Sequence, residues 1–224
     1  MSTNRQDHGG DHPLPTSDAA SYLVVGYAAA VASVEPAPGG GSVAGVVGAL
    51  AAALVEMVGH LTTGRSGSKA AEDQLDATLE SACALRSRLV ELAAADEAAY
   101  RAYVAATKLP RVTEAEKTMR RDTLQAALHN AADVPLEVAT ACEEILALLD
   151  SLARTGNKHA ISDVIVAAMC AEVAARAALL NVVVNARMIK DKERSSSYQE
   201  TGRLLERIVR DHAATVIEVA SSRM

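Results

Sequence analysis

The chain has 224 residues, enough for one domain with a buried core. Half of it is hydrophobic, yet it has no Phe and no Trp, so the apolar mass is Ala, Val and Leu, a composition suited to close-packed helices. Its 22 basic and 28 acidic residues leave a net charge of −6, which argues against broad electrostatic attraction to nucleic acid.

Residues 1–15 are polar, carry Asp7 and Asp11, and lack the apolar core of a signal peptide, so a disordered tail is expected there, with a helical domain over 16–224. His8 and His12 read as part of that solvated tail. No run reaches the roughly 18 uncharged apolar residues of a membrane span, because Glu56 interrupts the longest candidate and Glu172 and Arg176 the next; a soluble protein is expected. Cys83, Cys142 and Cys170 are widely spaced among apolar helical residues. They read as buried free thiols in a reducing cytoplasm rather than as metal ligands or nucleophiles.

Thr16-Ser17-Asp18 offers a helix cap, and Tyr22 to Ser33 reads as a first helix ended by Pro36. Then comes Pro36-Ala37-Pro38-Gly39-Gly40-Gly41-Ser42, where prolines resist helix and glycines free the backbone before an alanine-rich second helix capped by Ser42 or Gly41. Gly41, Gly45, Gly48, Ala52 and Gly59 share one nearly flat face of it. Two readings stand: the flat face admits a neighbouring helix at close range, or the bare N–H groups at the helix start cradle a polar or anionic ligand group. No Gly-Lys-Ser/Thr follows the glycines and no dinucleotide spacing is present. Glu56 and His60, about 22 Å or more along the helix, fall outside any site at the glycines.

Thr62 to Ser68 is a hinge whose last serine caps a long third helix. Its apolar stripe runs Leu75, Leu79, Ala82, Leu85, Leu89, Leu92, Tyr100 and Tyr103, and Asp96 falls inside it. A carboxylate drawn into the interior gains a raised pKa, the condition for acid/base work near neutrality. The alternative is a partner arginine or a helix end that it caps. Thr113-Glu114-Ala115-Glu116 is a capping box opening a fourth helix toward Ala153, in which Pro135 predicts a kink or short break near 131–134; Arg120, Arg121 and Asp122 read as a solvated face.

Gly156-Asn157 ends that helix and a fifth begins around Ala160 to Asp163. Asp163 lies on its interior stripe in the first turn, where the dipole favours an ionised carboxylate, whether for catalysis or for capping. Asn181 lies about 27 Å farther along the axis. It and Asn185 therefore serve interhelical hydrogen bonds or another site, one that a second subunit could complete. A polar loop over Lys192 to Ser197 and a helix from Tyr198 to Ala220 close the chain. There is no repeat and no strand-like alternation, so the class is all-α.

Three stretches, Pro36-Ala37-Pro38-Gly39-Gly40-Gly41-Ser42-Val43-Ala44, Asp96-Glu97-Ala98-Ala99-Tyr100 and Gly156-Asn157-Lys158-His159-Ala160-Ile161-Ser162-Asp163, occur in an order and spacing that resembles the cyclodeaminase/cyclohydrolase family. That family comprises the C-terminal domain of formiminotransferase-cyclodeaminase and stand-alone methenyltetrahydrofolate cyclohydrolases. The resemblance covers roughly Thr16 to Asp191. It implies one domain of about six long helices, a homodimer, and a tetrahydrofolate-type substrate as the small-molecule partner, with no further cofactor. No metal is implied, since the carbon attacked is already electrophilic and no ligand constellation is visible.

The implied activity is hydrolysis of 5,10-methenyltetrahydrofolate to the 10-formyl compound. The alternatives are formiminotetrahydrofolate cyclodeaminase and a non-catalytic folate-binding helical protein. Asp96 and Asp163 are the implied acid/base pair. Gly39, Gly40 and Gly41 would line the pocket, Ser42 and Asn157 would orient the ligand's polar groups, and Arg65 and Lys69 would meet the pterin side or the glutamate tail. The chain departs from the family pattern at Gly64-Arg65-Ser66-Gly67-Ser68-Lys69 and at Val164-Ile165, both beside those positions.

Overall fold

A computed structural model of the chain describes residues 17–64 and 68–224. The stretch 1–15, expected as a tail, and Arg65 lie outside the described residues. The chain divides into two compact units, one ending at Pro36 and one running Ala37–Met224. The first contains helix α1 (Ser17–Val31), on which Leu23, Val24 and Val25 are exposed. The second contains α2 (Gly40–Thr62), α3 (Lys69–Thr107), α4 (Glu114–Thr155), a 3-10 turn (Lys158–Ala160), α5 (Ile161–Ala186) and α6 (Lys192–Ser221). No strand occurs among the described residues.

The helix starts follow local chemistry. Ser68 accepts from the Ala71 N–H at 3.3 Å. The capping box forms in full: Thr113 Oγ1 accepts from Glu116 N–H at 3.2 Å, and Glu116 Oε2 accepts from Thr113 N–H at 2.8 Å. Two starts differ from expectation. Gly39, rather than Gly41 or Ser42, is the N-cap of α2, and both later residues already lie within the helix. The segment read as a polar loop after Asp191 is helical from Lys192, because the Asp191 carboxylate accepts from the N–H groups of Glu193 and Arg194, each at 3.1 Å.

Pro135 sits inside α4 without interrupting it. Proline withholds the N–H that the Ala131 carbonyl would accept in an unbroken helix. The side-chain amide of Asn185 on α5 donates to that carbonyl at 2.5 Å, which supplies the missing partner and joins the two helices.

Successive helices of the second unit run antiparallel. A Cβ added at Gly59 would lie 2.6 Å from Leu79, and one at Gly45 would lie 2.9 Å from Ala93, so α2 and α3 run in opposite directions with almost no side chain between them. The flat glycine face is thus a packing surface along most of its length. Arg120 of α4 donates to the Thr107 carbonyl at the end of α3 at 3.0 Å. Tyr198 of α6 donates to Asp133 near the middle of α4, and Arg223 donates to the Ala153 carbonyl near its end at 2.7 Å. The core these helices share includes Leu89, Val138, Ile145, Leu146, Leu149, Val164 and Val182, with Ala51, Ala52, Ala167, Ala171 and Ala175 filling the narrow gaps. Each buried Leu or Ile contributes about 1.5–3 kcal/mol relative to exposure.

Helix α2 is long and apolar enough to cross a membrane by length and composition, Glu56 notwithstanding. Its packing against α3, α4 and α5 accounts for that apolarity, and Glu56 is held by Arg86 of α3 at 2.5 Å. Of the cysteines, only Cys142 is fully buried, with its thiol pushed up to about 12 by desolvation; Cys83 is exposed and all three are free.

Candidate active site

The start of α2 meets the last third of α3. A methyl group on Gly41 would fall inside the Asp96 carboxyl group, so that carboxyl lies directly against the first turn of α2. The Ser42 backbone N–H donates to Asp96, while the Ser42 hydroxyl donates to Glu97 Oε1 at 3.2 Å. Ser42 is 1% exposed and links both carboxylates. Glu97 is held from the other side by Arg101 at 3.5 Å. Gly40, one residue earlier, faces open space where a side chain would be.

Burial raises the Asp96 pKa above its ordinary value, opposed by the Ser42 N–H and reinforced by the negative charge of Glu97. The result is a half-buried carboxyl that binds a proton more readily than a solvated one while its oxygens stay fixed by a helix start. Such a group can take a proton from water and stabilise an adjacent cation when ionised.

Asn157, Asp163 and Lys69 lie at the opposite end of the bundle. The Asn157 N–H donates to Thr62 Oγ1 at 3.0 Å, its side-chain amide donates to the Leu61 carbonyl at 2.8 Å, and its Oδ1 accepts from His159 N–H at 3.0 Å. Asn157 therefore clasps the end of α2 to the start of the α5 segment. Asp163 is half-buried one turn into α5. Lys69 is 88% exposed and pairs with Asp73 at 2.9 Å.

From Gly41 to Leu61 the α2 axis runs about 30 Å. Within one chain, then, Asp96 stands with Gly39, Gly40, Gly41 and Ser42, and it does not meet Asp163, Asn157 or Lys69. The antiparallel course of α5 instead brings the Asn181 and Asn185 level toward the glycine end. Glu97 was not singled out in the sequence because it sits off the apolar stripe of α3. Only its place beside Asp96 in the shared motif signals it. Among the described residues, no group of three His, Cys, Asp or Glu is placed to hold a metal ion.

The bundle and these motifs have counterparts in known proteins. The chain is 40% identical over 186 residues to a methenyltetrahydrofolate cyclohydrolase of Methylorubrum extorquens, a match that covers 80% of this chain and 89% of that one. It is 38% identical over 170 residues to the formimidoyltransferase-cyclodeaminase of Mus musculus, covering 74% of this chain but 31% of the relative, so it spans about a third of that longer protein. The crystal structure of formiminotetrahydrofolate cyclodeaminase from Thermotoga maritima superposes with a TM-score of 0.78 at 30% identity, covering 88% of this chain and 94% of that one. The sequence profile described as Formiminotransferase-cyclodeaminase matches residues 24–203, and the chain belongs to that family.

Proposed function

We propose that this protein is a methenyltetrahydrofolate cyclohydrolase that converts the 5,10-methenyl cation and water into 10-formyltetrahydrofolate and a proton. The observation that carries the reading is the Asp96 carboxyl, half-buried against Gly41 and held by the Ser42 N–H. Similarity to the cyclohydrolase along most of both chains supports this choice of reaction. Ionised Asp96 stabilises the cationic N–C–N unit and removes a proton from the attacking water as its oxygen bonds to the methenyl carbon. The resulting carbinolamine breaks its bond to N5, which takes a proton as it leaves, and its hydroxyl proton departs to leave the formyl group on N10. Gly39 and Gly40 allow the ligand to approach the backbone, and Ser42 and Glu97 fix the Asp96 carboxylate.

The active unit is a homodimer in this reading. Leu50, Met57 and Leu61 of α2 and Val166, Met169, Val173, Leu180 and Val184 of α5 are exposed on two neighbouring helices, and Leu180 is 69% exposed. An apolar face of that extent suits a second copy. A two-fold axis crossing α2 near its middle would set the partner's Asp163 and Asn157 against Asp96, closing the 30 Å gap that one chain leaves. Free thiols suit a reducing cytoplasm.

Loss of methenyl absorbance on adding the protein tests the reaction. Mixing Asp96→Asn and Asp163→Asn variants tests the composite site: each alone is inactive, and random exchange restores about a quarter of parental activity if the two carboxylates come from different copies. A mixture as inactive as its components would sink the shared site. The cyclodeaminase reaction is the second reading, favoured by the Thermotoga maritima neighbour. Ammonia release from the formimino substrate, without hydrolysis of the methenyl one, would establish it.

A further inference from the structure

The segment that joins α4 to α5 is held from two sides. On one, Asn157 ties it to Leu61 and Thr62 at the end of α2. On the other, the guanidinium of Arg223, which follows α6, donates to the carbonyls of Ala153 and Gly156, each at 2.7 Å, and to that of Leu152 at 3.3 Å. Leu152 and Ala153 belong to the last turn of α4, where carbonyls run out of helical N–H partners and the helix dipole favours a cation. Those two bonds alone would only cap a helix. Gly156 lies beyond it: its N–H donates to the Leu152 carbonyl at 2.8 Å, and a Cβ on it would stand 2.5 Å from that same oxygen. The residue therefore lies flat on the helix end, with no side chain of its own to fix it. The planar fork of one arginine grips the helix end and the residue after it together. From Gly156 the chain passes through the 3-10 turn, closed by the Ala160 N–H on the Asn157 carbonyl at 2.9 Å, straight into the first turn of α5 and Asp163.

We infer that Arg223 is a positioning residue for the reaction, because its grip on Gly156 sets where Asn157 and Asp163 stand. The inference rests on the proposed reading in which those two residues complete the site of a second copy. A shift of about 1 Å at a reacting group can cost about a hundredfold in rate. Residue 223 lies beyond the matched stretch 24–203, so the grip is not part of what the family profile describes. A tie between the same two helices supplies the contrast. The ring nitrogens of His212 on α6 stand 3.3 Å from Glu143 and 3.1 Å from Asp150, both within α4 and before its last turn. His212 thus joins α6 to α4 without reaching the segment that follows α4.

The experiment measures methenyl hydrolysis by Arg223→Gln and His212→Ala at a temperature where circular dichroism shows both to be folded. Arg223→Gln lowers kcat by about tenfold at an unchanged KM, whereas His212→Ala melts earlier yet keeps the parental kcat. Mixing then assigns the defect. In a random mixture with Asp96→Asn, Arg223→Gln recovers about a quarter of parental activity, because each mixed dimer has one intact site. With Asp163→Asn it stays near about a twentieth, because both lesions fall on the same half of every site. If Arg223→Gln does not fold, Arg223→Lys, which keeps the charge but not the fork, takes its place with the same expectations.

A parental kcat in the Arg223 variant, an equal fall in kcat for His212→Ala, or recovery with Asp163→Asn in place of Asp96→Asn would overturn the inference and leave the cyclohydrolase reading standing. If Asp96→Asn and Asp163→Asn do not complement each other, or no methenyl substrate is turned over, the reading itself fails. Hydrogen exchange over residues 157–163 then decides Arg223 by itself. Faster exchange there in the Arg223 variant than in His212→Ala supports the grip, and equal exchange refutes it.

Discussion

The Asp96 carboxyl group occupies the space that a side chain on Gly41 would need, so the acid at the proposed site has its position because residue 41 has none. Gly41→Ala should turn Asp96 away from the first turn of α2 and lower kcat/KM by about tenfold or more, since a misplacement of 1 Å can cost about a hundredfold. Gly202→Ala is the matched comparison, because its added methyl would meet Leu179 at an ordinary 3.8 Å. That variant should gain up to about 1 kcal/mol of helix stability in a urea titration. Full activity in Gly41→Ala would show that the close approach serves packing alone.

Because burial raises the Asp96 pKa, the folded state holds that proton more tightly than the unfolded chain does. Its contribution to stability is therefore present below the ordinary carboxylate value of 3.8 and is lost as pH rises through the folded value. Asp96→Asn should melt at a higher temperature than the parent at pH 7, and the difference should vanish in acid. Its methenyl hydrolysis should fall by at least about a hundredfold. In the parent, kcat/KM should decline on the acid side with an apparent pKa above 3.8. A variant less stable than the parent at pH 7 would contradict the assigned burial cost.

The helix boundaries that the sequence made legible are those with a chemical signature at a single residue, such as Ser68, the Thr113–Glu116 box and Gly156. Asp96 was legible because a carboxylate broke an otherwise apolar stripe. Two things were not. The start of α6 was hidden because its cap, Asp191, precedes a run of charged and serine residues that has no apolar rhythm. The placing of Asp96 and Asp163 at opposite ends of the bundle, about the 30 Å that α2 spans from Gly41 to Leu61, was hidden because proximity depends on the antiparallel order of helices, which no local pattern encodes.

Asn185 and Pro135 should be energetically coupled through the Ala131 carbonyl. Asn185→Ala leaves that carbonyl without a donor and should cost about 1–3 kcal/mol in denaturant unfolding. In a Pro135→Ala background the restored N–H serves the carbonyl, and the same Asn185 substitution should cost under about 1 kcal/mol. Equal costs in both backgrounds would mean that Asn185 acts elsewhere.

Charge placed on the exposed face of α2 and α5 should separate association from folding. Val173 is 59% exposed, so Val173→Asp combined with Leu180→Asp should change the stability of a single copy by about 1 kcal/mol or less. Light scattering should then show the mass of one chain, and hydrolysis should be lost with it. A variant that remains dimeric and active would place the contact on another face.

The absence of Phe and Trp leaves tyrosine as the only strong near-ultraviolet chromophore, and Tyr100, Tyr103 and Tyr198 stand on the helices that form the glycine end of the bundle. Tyr198, half-buried beside Asp133, has its phenol pushed up to about 12 by partial desolvation and by its bond to that carboxylate. Near-ultraviolet circular dichroism therefore carries a tyrosine signal from the end where the substrate is proposed to bind, beside that of Tyr22 and Tyr27 on α1, with no tryptophan signal to subtract. A single tryptophan introduced at the clasp end would report on the other end separately, so the two could be followed independently through folding, subunit exchange and ligand binding.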